Sequence, residues 1–253
     1  MGKLMRRFII IFLYVIALPS FSCELTVRLE NYAPESQKNS NNKWSGVDID
    51  LTKVLLTKAQ CQFSVVEISW ARALVMLADG DIDLMVNVSK TPIREELFYF
   101  IGPIRNEVIV LATNESANFS LNQISDITQL NKPIAIQRNA YYGEDIERLL
   151  ADKQHQQHFI HVTDNKTKLK LLKRGRISGF LEAKRNIING VTSDEDFEGV
   201  WFQPLEFHST PIYFALSKKS VTPSLKSRVE NAFQQLKNQG GLKAVENSHN
   251  SKI

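Results

Sequence analysis

The stretch WARALVMLADGDIDLMVNVSKTPIREELFYFIGPIRNEVIVLA, residues 70–112, contains the clearest succession of helix and strand signals in the chain. Apolar side chains at helical spacing predict a short helix over residues 70–78, and Asp79-Gly80-Asp81 ends it with turn-forming residues. Continuous apolar runs then predict buried strands over 82–88 and 108–112. Amphipathic helices alternating with buried strands are typical of parallel α/β sheets.

The same alternation continues on both sides of this stretch. Toward the N-terminus, the pattern predicts strands over 25–29 and 63–68 and a helix over 47–59. Toward the C-terminus, it predicts strands over 133–137, 159–162, 179–181 and 210–216, and helices over 142–150, 165–173, 182–188 and from Thr222 onward. Polar segments at 113–122 and 193–199 interrupt the order, which predicts two α/β lobes joined by two crossings.

Composition places the chain among ordinary globular proteins. It has 253 residues, of which 43% are hydrophobic and 23% charged, and these fractions exclude disordered, collagen-like and multi-span membrane classes. The net charge of +4 and the pI near 9.0 would by themselves suggest a nucleic-acid partner.

The N-terminal residues account for most of that charge. Lys3, Arg6 and Arg7 precede an apolar run over 8–18, and Pro19 with small residues follows. This layout predicts a secretory signal peptide over residues 1–22, since the run is shorter than the roughly 20 residues that a membrane span needs. Its removal leaves 231 residues with a net charge of +1. We therefore expect a periplasmic protein with no nucleic-acid partner.

The chain contains two cysteines, Cys23 and Cys61. Export to an oxidising compartment makes them a candidate disulfide. Closing a loop of this length stabilises a fold by roughly 4 kcal/mol in the chain-entropy model. The alternative is lipidation of Cys23 after cleavage, but Ser20 stands where a lipoprotein signal usually carries leucine.

Six segments, taken in order and spacing, make the chain similar to the family 3 bacterial solute-binding proteins, the periplasmic receptors that feed amino acids and related solutes to ABC importers. The segments are LTVRLENYAP (25–34), GVDIDL (46–51), WARAL with GDID (70–74 and 80–83), VSKTPIR with FIGP (88–94 and 100–103), PIAIQ (133–137) and residues 169–180. The resemblance implies a two-lobe, type II periplasmic-binding-protein (Venus flytrap) fold with a ligand cleft between the lobes. It assigns 23–112 plus 205–253 to lobe I and 113–204 to an inserted lobe II.

The resemblance also implies cleft residues in lobe I. Arg94 matches the arginine that grips a ligand carboxylate, for which a guanidinium fork is well suited. Tyr32 matches an aromatic residue that stacks on the ligand. Trp70 either faces the cleft or packs in the core. Asn87 and Ser89 lie where relatives present polar groups to the ligand.

In lobe II, the segment QRNAYY (137–142) precedes a predicted helix at the position where relatives bind the same carboxylate. It makes Arg138, Asn139 and Tyr141 candidate ligand-binding residues. Arg138 either favours an acidic ligand or is a solvated loop arginine. Glu182 either replaces the family's ammonium-binding aspartate or begins a helix, where the helix dipole favours a carboxylate.

No metal or cofactor is expected. His155, His158 and His161 lie close together, but no carboxylate or cysteine completes a ligand set. The basic residues of 166–176 are expected to form a solvated helix face.

These observations predict a monomeric receptor without chemistry of its own, which closes on a small carboxylate-bearing solute and docks on a membrane ABC permease. Two alternatives remain at this stage. One is an enzyme resembling cyclohexadienyl dehydratases, with Glu182 or Glu30 as the general acid. The other is a ligand-sensing subunit for a membrane signalling protein.

Overall fold

The computed structural model describes residues 23–250, so the predicted signal peptide over 1–22 lies outside the described residues. The strands are β1 Cys23–Leu29, β2 Gln37–Lys38, β3 Trp44–Ser45, β4 Cys61–Glu67, β5 Leu84–Ser89, β6 Phe98–Asn114, β7 Ile134–Gln137, β8 Phe159–Val162, β9 Gly179–Ala183 and β10 Val200–Ser217. The helices are α1 Val47–Lys58, α2 Trp70–Asp79, α3 Pro92–Leu97, α4 Glu144–Ala151, α5 Asn165–Lys173, α6 Lys184–Ser193, α7 Pro223–Asn238 and α8 Gly241–Asn250. Across this described range, none of the helices combines the length and apolar character needed to cross a bilayer.

Eight strands form one sheet in the order β4-β1-β5-β10-β6-β9-β7-β8, and β2 and β3 form a small separate ladder. β1 pairs in parallel with β4 and β5, and β7 pairs in parallel with β8 and β9. The central pairings, which join β10 to β5, β10 to β6 and β6 to β9, are antiparallel. The sheet therefore consists of two parallel parts connected through the long strands β6 and β10.

Each parallel part has its own helices and its own buried residues. We call β1, β4 and β5, with α1, α2, α7 and α8, the terminal group, and β7, β8 and β9, with α4, α5 and α6, the middle group. Leu51, Val27 and Phe233 belong to a buried cluster of the terminal group, and Ile134 and Leu181 to one of the middle group. Two separate cores thus lie on either side of the connecting strands.

The connecting strands contribute to both cores. Ile101 and Phe214 pack in the terminal group, whereas Ile109 and Leu111 pack in the middle group. β6 and β10 are much longer than the predicted strands over 108–112 and 210–216, and the chain passes between the groups along them. The boundaries 23–112 plus 205–253 and 113–204 stay a prediction for the two lobes.

Two local expectations are wrong. The helix expected to begin at Glu182 begins at Lys184, and Glu182 is instead the fourth residue of the buried strand β9. The basic helix α5 is not solvated all round, because Lys168 is 1% exposed and lies inside the molecule. The buried face of the helix includes this lysine beside Leu169 and Leu172.

A disulfide joins Cys23 to Cys61, as the sequence predicts. The two residues are partners in the parallel register of β1 and β4, with their Cα atoms 4.6 Å apart. The bond ties the first residue of the described chain to the edge strand. It also engages the sulfur that lipidation of Cys23 would require.

Replacing both cysteines by serine is expected to lower the free energy of unfolding by about 4 kcal/mol, because the unfolded chain gains the entropy that the closed loop denies it. Urea unfolding of the purified mature protein measures this change. The unmodified protein, denatured without reductant, should contain no titratable thiol. Two thiols per chain, or an unchanged unfolding midpoint in the double serine variant, would contradict the pairing.

Candidate functional site

A pocket lies between the two groups and is lined by residues of both. The carboxyl ends of four parallel strands meet there, since β1 ends at Leu29, β5 at Ser89, β7 at Gln137 and β9 at Ala183. Ligands of α/β sheets bind at such ends. The lining residues are Arg28, Leu29, Glu30, Tyr32, Ser36, Asp48, Trp70, Val86, Asn87, Ser89, Arg94, Glu107, Ile109, Gln137, Ala140, Tyr141, Tyr142 and Glu182. We call this pocket the cleft.

Arg94 enters the cleft from the short helix α3. Thr91 caps that helix by accepting a hydrogen bond from the Arg94 backbone N–H at 3.3 Å, and Pro92 suits its first position. The guanidinium donates to the carbonyl of Ser89 at 3.0 Å and to that of Asn139 at 2.8 Å. Within residues 23–250, it forms no ion pair with a carboxylate, and burial lowers the pKa of Arg94. Three of its five N–H groups remain available to an anion.

The carbonyl oxygen of Asn139 joins the two groups. It accepts hydrogen bonds from Arg94 and from the Trp70 indole N–H, the latter at 3.2 Å. Asn139 has a φ of 62°, a left-handed conformation that asparagine adopts more readily than most residues. Trp70 is 9% exposed, so it serves both as a core residue and as a wall of the cleft.

A second link between the groups centres on Glu182. Its Oε1 accepts hydrogen bonds from the Tyr32 hydroxyl at 2.6 Å and from the Ala183 backbone N–H at 2.9 Å. Its Oε2 accepts from Lys168 Nζ at 2.9 Å, and Lys168 also donates to the Leu181 carbonyl. Burial and the nearby Glu182 raise the pKa of Tyr32 well above its ordinary value. Glu182 is therefore engaged by three donors inside the protein.

The loop that carries Tyr32 is held by a close backbone contact at the start of α1. Gly46 has a φ of 124°, and a Cβ there would lie 2.4 Å from the carbonyl oxygen of Glu35. The backbone N–H of Asp48 donates to the same carbonyl at 2.8 Å. Only glycine permits this approach, so the segment GVDIDL positions the aromatic residue of the neighbouring loop.

A buried charge network lies beside the cleft. Arg105 contacts Asp48 at 3.3 Å and Glu35 at 3.6 Å. The side chain of Asn87 joins the two, because its amide group donates to Asp48 and its oxygen accepts from Arg105 at 2.7 Å. Burial and the neighbouring Asp48 raise the pKa of Glu35 to about 7, against the opposing effect of Arg105. Asn87 lines the cleft, but its amide is already used within the protein.

The structure places seven of the nine predicted ligand-binding residues on the cleft: Tyr32, Trp70, Asn87, Ser89, Arg94, Tyr141 and Glu182. Arg138 and Asn139 have exposed side chains outside the lining, and only the backbone carbonyl of Asn139 takes part. In the turn after β7, the side chains of Arg138 and Asn139 are exposed, whereas Ala140 and Tyr141 line the cleft. The roles of Arg138 and Asn139 in ligand binding stay predictions.

The cleft does contain a second arginine, but it is Arg28 on β1. It is 7% exposed, forms an ion pair with Glu30, donates from Nε to the Ile68 carbonyl at 3.0 Å and lies over the Trp70 ring at 5.4 Å. Arg28 is the charged residue of the predicted strand over 25–29, and this was the available signal for the position. Glu107 on β6 was also missed, because the predicted strand began at Val108.

Lys168→Met is expected to lower the free energy of unfolding by about 3–5 kcal/mol, because it leaves the buried Glu182 carboxylate without its cation. Urea unfolding at neutral pH measures the loss. Lys170→Met is the matched control, since Lys170 lies on the same helix and is exposed; a surface change of this kind shifts stability by less than about 0.5 kcal/mol. Equal unfolding midpoints for the two variants would contradict the role of this ion pair.

Comparison with solved structures relates the fold to binding proteins. An amino acid ABC transporter substrate-binding protein, AbpA from Streptococcus pneumoniae bound to L-arginine, is 22% identical, with 91% of this chain and 96% of that chain covered and a TM-score of 0.75. A histidine kinase sensor domain similar to periplasmic binding proteins is 14% identical, with coverages of 90% and 95% and a TM-score of 0.77.

A third structure is the ancestral amino acid-binding protein AncCDT-1, described as a precursor of cyclohexadienyl dehydratase. It is 20% identical, with coverages of 89% and 94% and a TM-score of 0.73. At these identities the likeness shows the fold. No curated protein sequence gives a significant match.

The model of one protein family matches residues 25–252, which is nearly the whole described chain. Together with the two groups of elements and the cleft between them, this match establishes that the chain belongs to the bacterial extracellular solute-binding proteins, family 3, and has the two-lobe type II periplasmic-binding-protein fold.

Proposed function

We propose that this protein is a periplasmic receptor that binds a small carboxylate-bearing solute, an amino acid or a related compound, and delivers it to an ABC importer. The observation that carries the proposal is the guanidinium of Arg94. It lines the cleft between the groups, and among the described residues no carboxylate lies within ion-pair distance of it. A partly buried arginine with no ion-pair partner and with free N–H groups is a site for an anion that arrives from outside.

The same arginine supports a receptor that closes on its ligand. Its two hydrogen bonds reach Ser89 at the end of β5 and Asn139 in the turn after β7, one in each group. Closure of two domains around a ligand is the expected motion of such a fold. The closed monomer then presents a surface made by both lobes to a membrane permease. The similar structure bound to L-arginine makes amino acids the first solutes to test.

The dehydratase alternative requires a carboxyl group that donates a proton to the substrate. The carboxylate of Glu182 accepts hydrogen bonds from three donors, so it presents no proton to the cleft. Burial raises the pKa of Glu30, but Arg28 forms an ion pair with it. Neither of these two residues, which the sequence singled out as candidate acids, favours proton donation. The sensing alternative gains no specific contact from the site.

Arg94→Ala is expected to weaken binding of the carboxylate ligand at least about 30-fold, because truncating one partner of a buried charge pair costs about 2–5 kcal/mol. Calorimetric titration with L-arginine, L-lysine, L-glutamine and L-glutamate identifies a ligand and measures the change. Arg94→Lys should recover only part of the affinity, since an ammonium lacks the planar fork.

Arg72→Ala is the matched control, because Arg72 is an exposed arginine on α2 of the terminal group. It should leave the affinity unchanged. A carboxylate ligand that binds Arg94→Ala as tightly as the unmodified protein would refute the assignment of Arg94.

A further inference from the structure

The charged residues of the cleft wall do not all have partners. Arg28 pairs with Glu30, Asp48 with Arg105, and Glu182 with Lys168. Two charged residues of the wall remain without an opposite charge in contact among residues 23–250: Arg94 and Glu107. A cleft with one unpaired arginine and one unpaired carboxyl group, once that group is ionised, is complementary to a ligand that carries both charges.

Glu107 lies on the connecting strand β6, opposite Thr210 of β10. It also lines a second cavity, on the side of Arg105 and Arg185. Its carboxylate makes no hydrogen bond or ion pair within the described range, although the residue is only partly exposed. The nearest cation, Arg105, is shared with Asp48 and Glu35. Arg105 is therefore not free to pair with Glu107 alone.

The groups that face Glu107 come from several elements. They are Arg105 on β6, Glu182 on β9, Asp48 on α1, Tyr32 and Glu35 in the loop after β1, and Lys184 and Arg185 on α6. Burial, together with the carboxylates of Glu182, Glu35 and Asp48, raises the pKa of Glu107 to about 8, while Arg105 opposes the shift. A positive group brought to this position would relieve the repulsion between the carboxylates.

The two unpaired groups have different neighbours in the cleft. Arg94 contacts Ser89 and Asn139, and the acidic groups that influence it are Glu147 and Tyr141. Glu107 is influenced instead by the network around Arg105. The ammonium of an α-amino acid is one carbon away from its carboxylate. A carboxylate held by Arg94 therefore places that ammonium near Arg94 and away from Glu107.

We infer that Glu107 is the cation-binding, specificity-determining residue of the cleft, and that the ligand is a carboxylate with a positively charged group at its far end. The inference rests on the proposed function, since it takes Arg94 as the carboxylate site. An amine and a guanidinium share the chemistry that Glu107 recognises, and the experiment separates them.

Binding of such a ligand is coupled to a proton. Glu107 is mostly protonated near pH 7, and only its ionised form attracts a cation, so the proton is released when the ligand binds. Affinity for the cationic ligand should rise as the pH increases from about 6 to 8 and level off above the pKa. A neutral ligand should show no such dependence.

The experiment titrates the full mature protein with L-arginine, L-lysine and L-citrulline, the neutral analogue of arginine, by calorimetry at pH 7 in buffers of different ionisation enthalpy. We expect one of the cationic amino acids to bind at least 30-fold more tightly than L-citrulline and to release close to one proton. Glu107→Gln should reduce this preference to less than 3-fold and abolish proton release. Glu96→Gln, an exposed change on α3, is the control and should alter neither quantity.

A measurement without ligand guards against a misfolded variant. A carboxyl whose pKa is raised in the folded state stabilises the fold below its unfolded pKa, and this contribution is lost as the pH rises through the folded pKa. The unfolding midpoint in urea should therefore fall between about pH 4.5 and 8, and less steeply in Glu107→Gln than in the unmodified protein.

The outcomes separate the inference from the proposed function. If Glu107→Gln folds and retains both the preference and the proton release, the assignment of Glu107 is wrong. If L-citrulline or L-glutamate binds in an Arg94-dependent way while the cationic amino acids bind no better, the inference fails and the receptor function stands. If no amino acid of either panel binds, both fail.

Discussion

The antiparallel pairing of β6 with β10 is the constraint on which the rest of the molecule depends. These two strands are the point at which the sheet joins its two parallel parts, in the order β5-β10-β6-β9. Each group closes its own hydrophobic core, and the connecting strands contribute side chains to both. The cleft lies where the strand ends of the two groups approach each other. A bend in β6 and β10 would change its width and leave both cores intact.

Burying the charged side chains beside these connecting strands costs free energy. The structure shows that nearly all of these charges have a partner of opposite sign. Lys168 is deep in the middle group and Arg28 deep in the terminal group, and each lies against a glutamate. Burial of an ion pair contributes little to stability, whereas the loss of one partner is costly. Such pairs can hold side chains in register across a cleft, as Glu182 holds Tyr32. Against this background, Arg94 and Glu107 differ from the other charged residues of the cleft wall, because neither has an ion-pair partner among residues 23–250.

Much of this architecture could be predicted from the sequence, because hydrophobic periodicity determines where strands and helices form. The alternation of elements follows from local patterns. The disulfide follows from two cysteines in a chain with a predicted export signal, and the position of Arg94 on the cleft follows from the resemblance to the family. The pairing of side chains that are distant in the sequence does not follow from such patterns. Lys168 is one of several basic residues on a single helix, and only the position of β9 shows that it is the one that faces inward. The helix α6 begins two residues later than the sequence predicts, so Glu182 lies in a strand and not at a helix terminus.

In the proposed function, Arg94 links ligand binding to the distance between the two groups. Its guanidinium is oriented by one carbonyl from each group, Ser89 and Asn139, and Trp70 donates to the same Asn139 oxygen. If the groups separate, the arginine loses one of its two supports and its remaining N–H groups lose their fixed direction. A carboxylate that binds the supported arginine therefore binds the closed arrangement better than an open one. Since a ligand shifts a conformational equilibrium only by its difference in affinity between the states, this shared carbonyl gives the proposed receptor a physical reason to close on binding.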